Sequence, residues 1–145
     1  MYRKLLHGKI HSATVTGTAV EYEGSIGIDA DLLQAAGILP NESVHVWNVT
    51  NGERFETYAI LSPAGSGDVV VNGAAAHKTR VGDKVIVAAF AWLTDKELRR
   101  HKPSIVLVDG ANRLKKNERR STTNSRKKSP SRSSRRVARP GGALT

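Results

Sequence analysis

Residues 85–93, VIVAAFAWL, are apolar at every position, and no other feature constrains this chain as much. The run is only half as long as the roughly 18 apolar residues that a membrane-spanning helix takes. Turn chemistry bounds it, TRVGD before and TDKE after. A strand with no polar face belongs in the middle of a closed sheet.

The neighbouring segments carry strand signals of their own. Residues 9–22 (KIHSATVTGTAVEY) are rich in Thr, Val and Ile, with Gly17 as a bulge or bend. Residues 43–49 (SVHVWNV) alternate around Val44 and Val46, Asn51-Gly52 signals a hairpin, and RFETYAIL returns from Arg54 to Leu61. A loop, SPAGSG, leads to the strand DVVVN and the small-residue stretch GAAAH, and SIVLVD near residue 104 is the last strand. Only two stretches change period. IDADLLQAAGIL predicts a short helix capped by Asp29 or Asp31 and stopped at Gly37, and TDKELRRH predicts a turn or two of helix capped by Thr94 or Asp95. Six to seven short strands with brief helices predict an all-β fold, a small barrel.

The net charge of +10 divides unevenly. Residues 1–114 hold equal numbers of basic and acidic side chains, and residues 115–145 supply the whole excess. That Arg/Lys/Ser-rich tail has almost no apolar residues and is expected to be disordered. The chain thus reads as one domain, 1–114, followed by a tail, 115–145. With no cysteine, disulfides and thiolate chemistry are excluded. His7, His45, His77 and His101 show no metal-ligand spacing, so no metal site is expected. MYRKLLHGKIHS lacks the apolar core of a signal peptide, and a cytoplasmic protein without membrane contact is the expectation.

Within EYEGSIGID, the pair Gly24-Ser25 admits two readings. One is a bend between a strand and a helix. The other is self-cleavage: the Ser25 hydroxyl attacks the Gly24 carbonyl, which a glycine leaves accessible and free to take unusual dihedrals. WNVTNGERFETYAI places Arg54, Thr57 and Tyr58 just after a hairpin, with Arg54 and Tyr58 on one strand face and Thr57 on the other. VNGAAAH offers the amide of Asn72 and then small residues whose backbone can approach a ligand closely.

KIHSATVT, YEGSIGID, AAGILPNE, WNVTNGERFETYAI, VNGAAAH and VGDKVIV occur in this order. Over residues 1–113 the combination resembles the aspartate 1-decarboxylases, pyruvoyl enzymes that make β-alanine for pantothenate synthesis. The resemblance implies a double-psi β-barrel, a homotetramer with active sites between subunits, and L-aspartate as substrate. It implies cleavage between Gly24 and Ser25, with Ser25 converted to the pyruvoyl group and no metal or pyridoxal phosphate needed. That keto group would condense with the substrate amine and take up the electron pair left by CO2, which no ordinary side chain does well. Thr57 would bond the carbonyl oxygen during maturation and Tyr58 would return a proton to the α-carbon. Lys9 and Arg54 would meet the substrate carboxylates, alongside Thr57, Asn72 and the Gly73, Ala74 and Ala75 backbone. His11, Tyr22 and Trp47 would line the pocket. Core packing is the other reading of Trp47, and a solvated surface charge that of Lys9 and Arg54.

A different class is a nucleic-acid-binding barrel that uses its basic tail. The tail has no aromatic side chain for base stacking and residues 1–114 show no basic excess, so what remains is non-specific attraction to phosphate.

Overall fold

A computed structural model describes residues 1–116, and the tail expected to be disordered lies, from residue 117 on, outside the described residues. The apolar run forms β7 (Lys84–Thr94), antiparallel to β1 (Tyr2–Thr14) on one edge and to β4 (Ser43–Asn48) on the other. Val85, Val87 and Ala89 point into the core, while Ile86 and Phe90 are half-buried and Trp92 is 66% exposed on the other side. The strand is therefore central, but its second apolar face lies open at the outside of the barrel.

Eight strands form one mixed sheet. The others are β2 (Gly17–Ala19), β3 (Ser25–Asp29), β5 (Arg54–Ser62), β6 (Val69–Asn72) and β8 (Ser104–Leu107), and the order is β2-β6-β3-β5-β4-β7-β1-β8. The count exceeds six to seven because residues 9–22 divide between two strands and Ser25–Asp29, read as a bend before a helix, form a strand of their own. The Val15 N–H bonds to the Asp83 carbonyl (2.9 Å) and the Thr16 N–H to the Val69 carbonyl (2.8 Å), so the chain changes partners there. Upstream, β1 begins at Tyr2; downstream, β2 runs parallel to β6. Ile10, Ile26, Ile28, Val44, Val46, Val69 and Val71 on these strands, with Val15 between β1 and β2, are fully buried in a single core.

Helix α1 (Ala30–Ala36) starts at Asp29, whose Oδ1 accepts from the Asp31 N–H, and stops at Gly37, at φ 67°. The same carboxylate accepts the N–H groups of Gly65 and Gly67, so it fastens the SPAGSG loop to the helix start. Helix α2 (Asp95–Leu98) has a capping box between Thr94 and Glu97. GAAAH, read as an open stretch, forms a 3-10 helix, Gly73–Lys78. Among the described residues, no helix is long and apolar enough to cross a membrane.

Candidate active site

Ser25 opens β3, where Ile26 and Ile28 take the core side and leave Ser25 on the other. It is nonetheless buried, at 2% exposure. Its Oγ lies 3.4 Å from the Glu23 carbonyl, to which the hydroxyl donates, and accepts from Asn72 Nδ2 at 3.0 Å. Asn72 ends β6 directly opposite Ser25 in the antiparallel register. It also sits at the cap position of the 3-10 helix without capping it, which leaves its amide to the serine. The oxygen of Ser25 is thus desolvated, oriented, and next to Gly24, which is exposed.

Gly24 does not use the freedom at φ that a glycine permits. Its φ is not positive, and a methyl group there would meet nothing within 4 Å. The left-handed glycine at this point is Gly73, at φ 72°.

Strand β5 supplies the next two residues. It pairs with β4 without a register shift from Arg54 to Tyr58, so Thr57 faces inward with Phe55 and Ala59, and Tyr58 faces outward. In the parallel pairing with β3, Ile26 is opposite Ala59. The paired register ends there: Ser25 and Tyr58 are the next residues back on the two strands, and Gly24 already lies outside β3.

The remaining candidates stand apart. Arg54 lies over the Trp47 ring (4.9 Å to the centroid), its partner across the β4–β5 pair, and Trp47 in turn tilts against Phe90. Arg54 is four residues from Tyr58 on the same strand, about 13 Å away. Lys9, half-buried on β1, lies opposite Ala88; Ala88 is opposite His45, and His45 opposite Glu56. Lys9 is therefore three strands along the sheet from the strand that carries Arg54. His11 pairs with Leu107 of β8. Tyr22 is exposed, and Ala74 and Ala75 follow Gly73 in the first turn of the 3-10 helix. Ser25, Gly24, Asn72 and Gly73 meet directly, Tyr58 lies one residue before the part of β5 paired with β3, and Arg54 stacks on Trp47 at the start of β5.

The family model for aspartate decarboxylase matches residues 1–115. This chain belongs to the aspartate decarboxylase family. Among curated relatives, the aspartate 1-decarboxylase of Leptothrix cholodnii is 52% identical over 115 residues, covering 79% of this chain and 88% of its own length. Aspartate 1-decarboxylase 2 of Gloeobacter violaceus is 56% identical over 114 residues, covering 79% of this chain and 91% of that one. Of solved structures, the rationally designed protein mkDPBB_sym1 aligns with 59% of this chain and 96% of its own, at 20% identity and a TM-score of 0.40.

Reading the sequence missed Asn48 as a buried anchor and, at Gly73, the close approach to Gly24. Asn48, the last residue of β4, carried no signal in the sequence. It is buried, donates to the Lys78 carbonyl (3.1 Å) and to Asp83 Oδ2 (2.8 Å), and accepts the Thr50 and Asn51 N–H groups. It ties the hairpin carrying Trp47 and Arg54 to the far end of the helix that Gly73 begins. The second is Gly73 itself, grouped with substrate contacts although its nearest neighbour is the Gly24 backbone. The left-handed φ was not legible; a glycine right after a strand-ending asparagine was the available signal. Among the described residues, no group of three His, Cys, Asp or Glu stands close enough to hold a metal ion.

Proposed function

We propose that this chain decarboxylates L-aspartate to β-alanine on a pyruvoyl group made from its own Ser25, in the cytoplasmic supply of β-alanine for pantothenate and coenzyme A. The observation that carries the reading is the Ser25 oxygen, buried, held by Asn72 and adjacent to the open Gly24 carbonyl, in a chain of this family. In maturation the Oγ bonds to the Gly24 carbon, the peptide C–N bond breaks, and the hydroxyl proton passes to the Ser25 nitrogen, giving an ester. Loss of the Ser25 α-proton then expels Gly24 as a carboxylate. Water replaces nitrogen on the resulting enamine and ammonia leaves. Thr57 would donate to the carbonyl oxygen as negative charge develops on it.

The keto group so formed supplies the electron sink for decarboxylation. The residues around it do the rest. Tyr58, 37% exposed, carries the proton to the α-carbon. Asn72 and the Gly73, Ala74 and Ala75 backbone form the wall facing the substrate. A dicarboxylate needs cationic partners, and Arg54 and Lys9 are the candidates.

In a single chain the Arg54 backbone lies about 13 Å along the strand from that of Tyr58, and its guanidinium is turned onto the Trp47 ring. The outer sheet face bearing Lys9, Trp47, Arg54, Phe90 and Trp92 is apolar, cation-bearing and open. Both features support a homotetramer in which that face of one subunit completes the Ser25 site of another, with His11, Tyr22 and Trp47 lining the pocket. Residues 1–114 form the decarboxylase unit; the sequence of the tail supports no further assignment.

Intact-mass analysis of the purified protein tests the proposal. Two fragments separated after Gly24 are expected, and borohydride with aspartate should leave an adduct on the new N-terminus of the larger one. A chain that stays whole after prolonged warming and forms no β-alanine overturns it.

A further inference from the structure

Gly73 is the left-handed residue closest to the scissile peptide. A Cβ built on it would stand 2.6 Å from the Gly24 Cα, 2.8 Å from the Gly24 nitrogen and 3.0 Å from the Tyr22 carbonyl oxygen. All three atoms are backbone, so none can swing aside as a flexible side chain would. The antiparallel pair Ser25–Asn72, extended by one residue, is the pair Gly24–Gly73. Asn72 fixes the attacking oxygen, and the next residue is the surface on which the attacked residue rests.

From this packing we infer that Gly73 is a positioning residue for self-cleavage: its bare Cα seats Gly24 so that the carbonyl carbon stays within reach of the Ser25 oxygen. The inference rests on the cleavage reading above and adds a determinant to it. Asn72 and Gly73 are consecutive and rigidly linked, so nucleophile and electrophile are held by one short piece of backbone. A displacement on the order of 1 Å in such a pair costs about a hundredfold in rate. Seating a methyl group at residue 73 demands a shift of several tenths of an ångström in Gly24. At least a tenfold loss of rate is the consequence.

Three variants of the unprocessed protein separate the close approach from backbone strain. Gly73→Ala introduces both the Cβ and an unfavourable φ. Gly73→Asn introduces the Cβ, but asparagine tolerates positive φ. Gly65→Ala introduces the strained φ alone, since Gly65 has φ 78° and nothing within 4 Å of its Cβ position. Cleavage is followed by gel and mass spectrometry, and hydroxylamine traps the Gly24 ester as a hydroxamate. Melting temperatures are taken for each variant on a Ser25→Ala background, where cleavage cannot intervene.

Both Gly73 variants should cleave at least tenfold more slowly and yield correspondingly less hydroxamate, whereas Gly65→Ala cleaves at the wild-type rate. Wild-type-like cleavage in Gly73→Ala, or rescue in Gly73→Asn, overturns the inference, the latter by tracing the effect to φ alone. So does failure of Gly73→Ala to fold on the Ser25→Ala background, which makes the residue a structural glycine only. If the wild-type chain itself never cleaves, the proposed function fails first, and this inference falls with it.

Discussion

The side-chain amide of Asn72 donates to the hydroxyl oxygen of Ser25 across 3.0 Å in a pocket that excludes water. The bond leaves the hydroxyl hydrogen pointing at the Glu23 carbonyl and keeps the oxygen beside Gly24. It also stabilises negative charge on that oxygen as the proton leaves. Asn72→Ala removes the donor and frees the rotamer. A neutral hydrogen bond of about 1–1.5 kcal/mol corresponds to roughly tenfold in rate. Self-cleavage should slow by about that factor, as read from the decay of the intact chain on a gel; an unchanged rate would mean that the bond does not orient the nucleophile.

Tyr58 lies on the outer face of β5, while its neighbour Thr57 faces inward. This division predicts that Tyr58→Phe matures normally and then turns over poorly. Loss of a positioned general acid costs about 10²–10⁴ in kcat. Steady-state kinetics normalised to pyruvoyl content should show that fall in kcat with KM changed far less. A variant failing equally in cleavage would move Tyr58 into maturation.

Much of this arrangement is local, and the local part was legible. Asp29 and Gly37 delimit α1, Thr94 starts α2, and the all-apolar run occupies the centre of the sheet. Each depends on neighbours in sequence, or on the apolar character that every position of the run shares. What was not legible depends on pairing between distant segments. No local signal marks the change of partners at Val15 and Thr16, because the acceptors are Asp83 and Val69. The same holds at the site. Matching motifs supplied its residues, yet the seating of Gly24 on Gly73 follows from the β3–β6 register, as the position of Tyr58 follows from that of β3–β5.

Asp29 makes acid stability testable. Burial resists its ionisation, but the N–H groups of Gly67, Asp31 and Gly65, with the Arg113 charge, outweigh that and hold the carboxyl below its ordinary value. A carboxylate with a depressed folded pKa contributes its full stability above the unfolded value of about 3.9. That contribution drains away as pH falls from there through the lower folded value. Asp29→Asn, which cannot accept with both ends of the group, should cost about 2 kcal/mol at neutral pH, the scale of a hydrogen bond to a charged group. Denaturant melts at pH 7 and pH 3 should show the gap between variant and wild type narrowing in acid; a gap independent of pH would remove the charge from the explanation.

The separation of Arg54 from Ser25 within one chain gives the most demanding test of the assembly. If a site takes Ser25 from one subunit and Arg54 from another, two inactive chains can complement each other. Ser25→Ala lacks the group that becomes the electron sink but keeps its guanidinium; Arg54→Ala matures but cannot hold the distal carboxylate. Neither homomer should show appreciable turnover. Co-expressed at equal levels, they mix at random in the oligomer, and a site is intact when a chain with Ser25 meets a neighbour with Arg54, about a quarter of all sites. Turnover near a quarter of wild type is expected, and it should vanish when the oligomers are formed separately and then combined without exchange. If each site were built within one chain, every site in the mixture would lack one group or the other. Co-expression would then leave activity at the level of the single variants, and the shared-site architecture would be wrong.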